Sequence, residues 1–100
     1  GLPALIKDTL AVKGVRHTFG SLVYADHIAV GNDPVVDLLE QRGAIVVGKS
    51  NTPEFGTGSV TYNKVFGATL NPWDNSLTAG GSSGGAAAAL ASGMAWIAVG

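Results

Sequence analysis

Residues 32–48 read NDPVVDLLEQRGAIVVG, and this stretch decides the predicted fold. Its Asn-Asp pair can cap a helix that begins at Pro34, because these side chains accept hydrogen bonds from free helical N–H groups and proline fits the first helical position. Gly43 is a typical helix stop. Residues 44–48 are mostly β-branched and apolar on both faces, which predicts a central strand in a parallel sheet covered by helices. A helix that leads into a buried strand is half of a βαβ unit.

The chain on either side continues this alternation. Apolar runs at 2–6 and 10–12 predict two short buried strands joined by a tight turn. A helix is predicted at 85–92 and another buried strand at 96–99. The connection between 59 and 79 is long enough to be functional or to cover a site. Together these elements predict an α/β layered fold.

Composition limits the classes of protein to which the chain can belong. Of its 100 residues 46% are hydrophobic and 13% are charged, with a net charge of -1. This indicates one globular domain, and the lack of a basic excess argues against nucleic-acid and membrane partners. The longest apolar run, 86–99, is interrupted and shorter than the roughly 20 residues of a membrane-spanning helix. The absence of cysteine excludes disulfides and is compatible with the cytoplasm, the compartment we expect.

The second distinctive stretch is a glycine- and serine-rich loop, residues 78–91, which reads TAGGSSGGAAAALA. A phosphate-binding loop would need a Gly-Lys-Ser/Thr ending, which is missing here. A flexible linker is disfavoured because structured segments flank the loop. Two interpretations stay open on these residues alone. Ser82 or Ser83 could simply cap the alanine-rich helix, or the serines could belong to an acyl-transfer site.

A lysine supports the catalytic interpretation. Lys49 directly follows the strand at 44–48, at the edge where open α/β sheets bind their ligands. Burial there would lower its pKa toward a neutral amine that can accept a serine proton. Lys7 also ends a predicted strand, but Asp8 beside it offers an ion pair, which favours a structural role. A solvated lysine at a strand end is the ordinary alternative for Lys49.

Three separated motifs in this sequence resemble the amidase signature family, and the resemblance extends over essentially the whole chain. The opening segment 1–8 is similar to the start of that family's core. The motifs are Val47-Gly48-Lys49-Ser50-Asn51-Thr52-Pro53-Glu54-Phe55-Gly56, then Phe66-Gly67-Ala68-Thr69-Leu70-Asn71-Pro72-Trp73-Asp74, then Gly80-Gly81-Ser82-Ser83-Gly84-Gly85-Ala86-Ala87-Ala88. The resemblance implies part of a layered α/β/α core with a central mixed sheet covered by helices, in one domain over 1–100 that is incomplete at both ends.

The resemblance also implies a Ser–cis-Ser–Lys catalytic apparatus. On the matching positions, Lys49 would be the base, and Ser82 would be the cis-serine that relays a proton, with a cis peptide bond between Gly81 and Ser82. The nucleophilic serine is expected in a glycine-rich segment shortly beyond Gly100, so the 100 residues alone are expected to be inert. No metal or organic cofactor is implied. Substrate-binding residues are expected at Gly56, Thr57 and Gly58, which follow the lysine-bearing strand.

The implied function is hydrolysis of a small amide substrate through an acyl-serine intermediate. The alternative with the same chemistry is the glutaminase subunit of a tRNA-dependent amidotransferase, although the motif at 51–56 is more similar to that of the stand-alone amidases. A different class, a non-catalytic binding or scaffold descendant, also stays open, as does a homo-oligomeric state.

Overall fold

The computed structural model describes all of residues 1–100 and contains seven strands and two α-helices. Single 3-10 turns lie at Leu22–Tyr24 and Glu54–Gly56. The regular elements are β1 (Pro3–Lys7), α1 (Pro34–Gln41), β2 (Ile45–Ser50), β3 (Tyr62–Asn63), β4 (Gly67–Ala68), β5 (Leu70–Asn71), β6 (Asp74–Thr78), α2 (Gly84–Ala91) and β7 (Ile97–Val99). Neither helix has the length and apolar character required to cross a bilayer.

Three parallel strands form the sheet on which the rest of the chain is built, in the order β2-β1-β7. Leu5 and Ile6 are consecutive in β1 and therefore point to opposite faces. Leu5 packs with Ala89 of α2, whereas Ile6 packs with Val36 of α1. The two helices thus cover opposite faces of the sheet, and the predicted α/β layered arrangement is confirmed.

A β-bulge in β2 interrupts the pairing with β1. Ala4 pairs with Val46, but Leu5 pairs with Gly48, so that Val47 is an extra residue without a partner. Beyond the bulge, Ile6 pairs with Lys49 and Lys7 pairs with Ser50. Because side chains alternate along a strand, this one-residue offset moves Lys49 to the face that α1 covers.

The strand order corrects one prediction. Within this chain β1 is the central strand, whereas β2 lies at an edge with Ile45 and Val47 about half exposed (58% and 52%). All three strands of this sheet are parallel, and the antiparallel pairs are two small hairpins, β3–β4 and β5–β6. These hairpins occupy the predicted long connection.

The predicted strand at 10–12 is wrong, and the beginning of α1 explains why. Asp33 is the N-cap residue, but its carboxylate makes no capping bond and instead accepts from the Ala11 N–H at 2.6 Å. The Asp33 N–H donates to the Ala11 carbonyl at 3.0 Å. The segment therefore satisfies its backbone groups against the helix start rather than in a sheet, while Val12 packs into the core beside Ile6.

Candidate active site

The carboxyl ends of the three parallel strands meet at one edge of the sheet, where open α/β folds bind ligands. There β1 ends at Lys7, β2 ends at Ser50, and β7 ends at Val99, directly before Gly100. The Gly100 backbone lies so close to Ser83 that a side-chain carbon on this glycine would stand 2.7 Å from the Ser83 hydroxyl. The Gly-Ser loop is therefore placed at the ends of both β1 and β7.

Lys7 is the lysine that contacts the serine pair. Its ammonium donates to Ser82 Oγ at 2.7 Å and to Ser83 Oγ at 3.0 Å. Lys7 is buried, with 6% of its surface exposed, and no carboxylate lies within ion-pair distance of it. Burial lowers the pKa of Lys7 below the ordinary lysine value, because desolvation disfavours its charged form.

The serines do not act as a simple helix cap. Ser83 occupies the N-cap position of α2, but its side chain makes no capping hydrogen bond and instead contacts Lys7. The peptide bond between Gly81 and Ser82 is cis, which confirms the geometry implied by the family resemblance. Both hydroxyls are thus available to Lys7, and the interpretation of this loop as a cap without chemistry loses its support.

Thr61 holds the serine loop from both sides. This fully buried residue donates through its N–H and its hydroxyl to the Gly80 carbonyl, at 3.0 Å and 2.7 Å. The same hydroxyl accepts from the Gly84 N–H at 3.0 Å, which satisfies one of the free donors in the first turn of α2. Sequence reasoning missed Thr61 because its contacts are 19 and 23 residues away along the chain.

Gly85 allows α2 to approach β2 closely. A Cβ at this position would lie 2.3 Å from the Asn51 nitrogen and 2.6 Å from the Asn51 carbonyl oxygen, closer than any side chain could come. The Asn51 side chain donates to Thr69 Oγ1 at 3.0 Å and accepts from Asn63 Nδ2 at 2.6 Å, which fixes the backbone that α2 approaches. The glycine pair in this motif therefore serves close packing.

The structure does not bring Lys49 to Ser82. Lys49 lies on the other face of the sheet, where its ammonium donates to Asp8 Oδ1 at 2.8 Å and to the Arg16 carbonyl at 3.4 Å. The predicted ion pair between Lys7 and Asp8 is also wrong, because Asp8 pairs with Lys49. The physical reason is the bulge at Val47, which shifts Lys49 out of register with Lys7.

Asp8 is held by further hydrogen bonds on that face. Both of its carboxylate oxygens accept from the Thr18 N–H, at 3.3 Å and 3.2 Å, and Oδ2 also accepts from the Thr18 hydroxyl. Asp8 and Thr18 are both buried. Sequence reasoning had no signal for Thr18, since only the fold brings it to the end of β1.

An open cleft of about 530 Å³ lies beside the Lys49–Asp8 pair. Its lining residues are Asp8, Val15, Arg16, Lys49, Ser50, Asn51, Phe66, Ala68 and Thr69. The predicted substrate-binding residues Gly56, Thr57 and Gly58 are not part of this lining, and Thr57 and Gly58 are exposed. Gly56 instead lies against Thr9, in the turn that follows β1.

Comparison with known proteins assigns this arrangement to a family. The family model described as Amidase matches residues 1–100, the whole chain. Among curated proteins, the A-type subunit of glutamyl-tRNA(Gln) amidotransferase from Lachnoclostridium phytofermentans is 48% identical over 100 residues, which are 100% of this chain and 20% of that protein. The chain thus spans about a fifth of the length of such relatives.

Solved structures of the family share the fold. The A-type subunit of glutamyl-tRNA(Gln) amidotransferase from Thermotoga maritima superimposes with a TM-score of 0.94 at 41% identity, over 99% of this chain and 22% of that one. A 6-aminohexanoate cyclic dimer hydrolase, solved with its substrate, gives a TM-score of 0.92 at 34% identity, over 97% of this chain and 21% of that one. The similar proteins thus include both one component of a transferase and a hydrolase.

Proposed function

Because this chain belongs to the amidase family, we propose that the complete protein hydrolyses carboxylic amides through an acyl-serine intermediate. The observation that carries the proposal is the contact of 2.7 Å between Lys7 Nζ and Ser82 Oγ, made by a buried lysine without a carboxylate partner. A lysine in this setting is disposed to lose its proton, and a neutral amine at this distance can accept one from a hydroxyl. We therefore assign the base to Lys7 in place of Lys49, and the proton relay to Ser82.

The nucleophilic serine is expected outside residues 1–100, as the family resemblance implies. The position of Gly100 beside Ser83 supports this expectation, because chain that continues from Gly100 would start next to the two hydroxyls. A role of Gly56, Thr57 and Gly58 in lining the acyl pocket stays a proposal that the cleft at Lys49 does not support.

The proposed reaction conserves its protons through the relay. The nucleophilic serine oxygen bonds to the amide carbonyl carbon while its proton passes to Ser82, and the Ser82 proton passes to neutral Lys7. When the carbon–nitrogen bond breaks, the proton held by Lys7 returns through Ser82 to the leaving nitrogen. Water then attacks the acyl-serine by the same route and releases the carboxylic acid.

A second candidate is the glutamine-hydrolysing role in a tRNA-dependent amidotransferase. It is favoured by the 48% and 41% identity to two proteins named as A-type components of glutamyl-tRNA(Gln) amidotransferase. The chemistry at Lys7 and Ser82 would be the same, and only the amide donor and the fate of the ammonia would differ. The motif at 51–56 still favours a stand-alone amidase, as the sequence predicted.

Ammonia release by the complete protein from acetamide, hexanamide, benzamide and L-glutamine tests the proposal, with the Lys7→Met variant as the background control. We expect release from at least one amide, and its loss in the variant. A preference for L-glutamine would support the amidotransferase role, whereas a preference for one of the other amides would support the stand-alone hydrolase. Absence of release from all four, or equal release by the variant, would contradict the proposal, and the former would favour a non-catalytic descendant.

A further inference from the structure

The Lys49–Asp8 contact is the only ion pair in the structure, and it is well shielded from water. The two side chains are 12% and 5% exposed, and their atoms lie 2.8 Å apart. An ion pair in such surroundings is weakly screened, so that removal of one partner leaves an uncompensated charge of large effect. The pair is therefore a strong local influence on neighbouring charges.

The carboxylate in this pair is the immediate chain neighbour of the proposed base. Asp8 follows Lys7, but the alternation of side chains directs the two to opposite faces of the sheet. Its two oxygens are occupied by Lys49 and Thr18. Lys7 is consequently left with hydroxyl acceptors, Ser82 and Ser83.

We propose that Lys49 is a positioning residue: by binding Asp8 it keeps this carboxylate from pairing with Lys7, which is left with hydroxyl partners alone. The inference rests on the proposed function, in which Lys7 is the base. A carboxylate near a lysine stabilises the ammonium form and so makes the amine a poorer proton acceptor at neutral pH. On this view the Lys49–Asp8 pair helps to keep the base ready for its reaction.

The other charged groups do not substitute for Lys49. Around Lys7, β7, α2 and the serine loop contain no titratable side chain. On the face of α1, the acidic residues Asp37 and Glu40 are exposed or half-buried and accept from the Asn32 side chain.

Two basic groups lie closer to the pair. The Arg16 guanidinium lies over the Phe66 ring and donates to the Ala25 carbonyl. His17 is influenced by both Lys49 and Asp8, but burial is the main cause that lowers its pKa, and burial persists when Lys49 is replaced.

The test is the pH dependence of kcat/KM in the complete protein, measured by ammonia release from the best of the four amides. Lys49→Gln removes the charge but retains an amide donor for Asp8, and Lys49→Met removes both. We expect each variant to shift the acid limb upward by about one pH unit or more. On the limb, this corresponds to a roughly tenfold lower kcat/KM at a given pH.

The Lys49→Gln/Asp8→Asn double variant provides the control, because it removes both charges while amide groups fill both positions. We expect its acid limb to return to the wild-type position, and Asp8→Asn alone to leave the limb at or below that position. A purely structural role for Lys49 would lower the rate at every pH without this reversal.

Three results would overturn the inference: an unmoved limb in Lys49→Gln, an equal shift in the double variant, or a rise in Asp8→Asn alone. Failure of the underlying function is distinguishable. If Lys7→Met retained wild-type turnover, the base assignment itself would be wrong. If Lys7→Met were inactive and Lys49→Gln left the limb in place, only the role of Lys49 would be refuted. Circular dichroism of each variant verifies that it is folded.

Discussion

Lys7 and Lys49 end neighbouring parallel strands, yet their side chains leave the sheet on opposite faces. In an uninterrupted ladder continued from the Ala4–Val46 pair, Lys7 would pair with Lys49, and the two would share a face. The extra residue Val47 places Lys49 opposite Ile6 instead. One lysine therefore reaches the serine loop and the other reaches Asp8. This division underlies the expected behaviour of variants in the complete protein.

Lys7→Met should remove most turnover. The substitution retains an apolar chain of similar length but deletes the amine that contacts Ser82, and loss of a general base typically costs about a hundredfold to ten-thousandfold in kcat. Initial rates of ammonia release measure the effect. Lys64→Met is the matched control, because Lys64 is exposed and should tolerate the change. Comparable rates for the two variants would show that Lys7 is not the base.

Ser82→Ala and Ser83→Ala should differ in their effects. Ser82 Oγ is the nearer of the two to Lys7, at 2.7 Å against 3.0 Å, and we assign the relay to it. Its removal should cost about as much as loss of the base. Removal of the Ser83 hydroxyl should cost about tenfold or less, in line with one hydrogen bond. A larger loss of kcat in Ser83→Ala than in Ser82→Ala would reverse the assignment.

The pH profile should reflect the burial of Lys7. Because burial lowers its pKa, the acid limb of kcat/KM should lie below the ordinary lysine value of about 10.4. The sign follows from the required neutral amine: activity falls as the pH drops through the lowered pKa and the base becomes protonated. Between the lowered and the ordinary value the unfolded chain binds more protons, so stability should rise with pH in that window. A limb at or above the ordinary value would contradict the prediction.

Gly85→Ala should destabilise the protein and disturb the serine loop. The new methyl group would meet the Asn51 backbone at 2.3 Å, and a backbone cannot move aside as a side chain can. We expect a loss of about 1–3 kcal/mol in the free energy of unfolding. Gly31→Ala is the control, since the space around Gly31 is open, and it should change stability by less than about 1 kcal/mol. Equal denaturation midpoints would argue against close packing of α2 on Asn51.

Thr61→Val should weaken both stability and turnover. The side chains have similar shapes, but valine leaves the buried Gly84 N–H without its acceptor, at a cost of about 1–3 kcal/mol. Turnover should fall because the loop that holds Ser82 loses one of its anchors. Thr57→Val, at an exposed position, should be nearly neutral in chemical denaturation and in ammonia release. Wild-type behaviour of Thr61→Val would show that its hydroxyl does not hold the loop.

Local sequence signals were sufficient for the main elements of the fold. Pro34 and Gly43 bound α1, the β-branched run forms β2, and the glycine-rich loop leads into α2. Each of these signals acts within a few residues, through capping, backbone freedom or hydrophobic pattern. The run at 10–12 misled the prediction because an apolar segment can be buried without forming a strand, as Val12 is.

By itself the sequence determined that a lysine at a strand end and a serine in a Gly-Ser loop belong to one family's site, since these are properties of residue types and their spacing. Only the tertiary structure decided which lysine meets the serine. The choice depends on the pairing of β1 with β2, where a single unpaired residue, Val47, changes the face on which Lys49 lies. Strand register is a relationship between segments about 40 residues apart, and no local pattern at Lys7 or Lys49 encodes it.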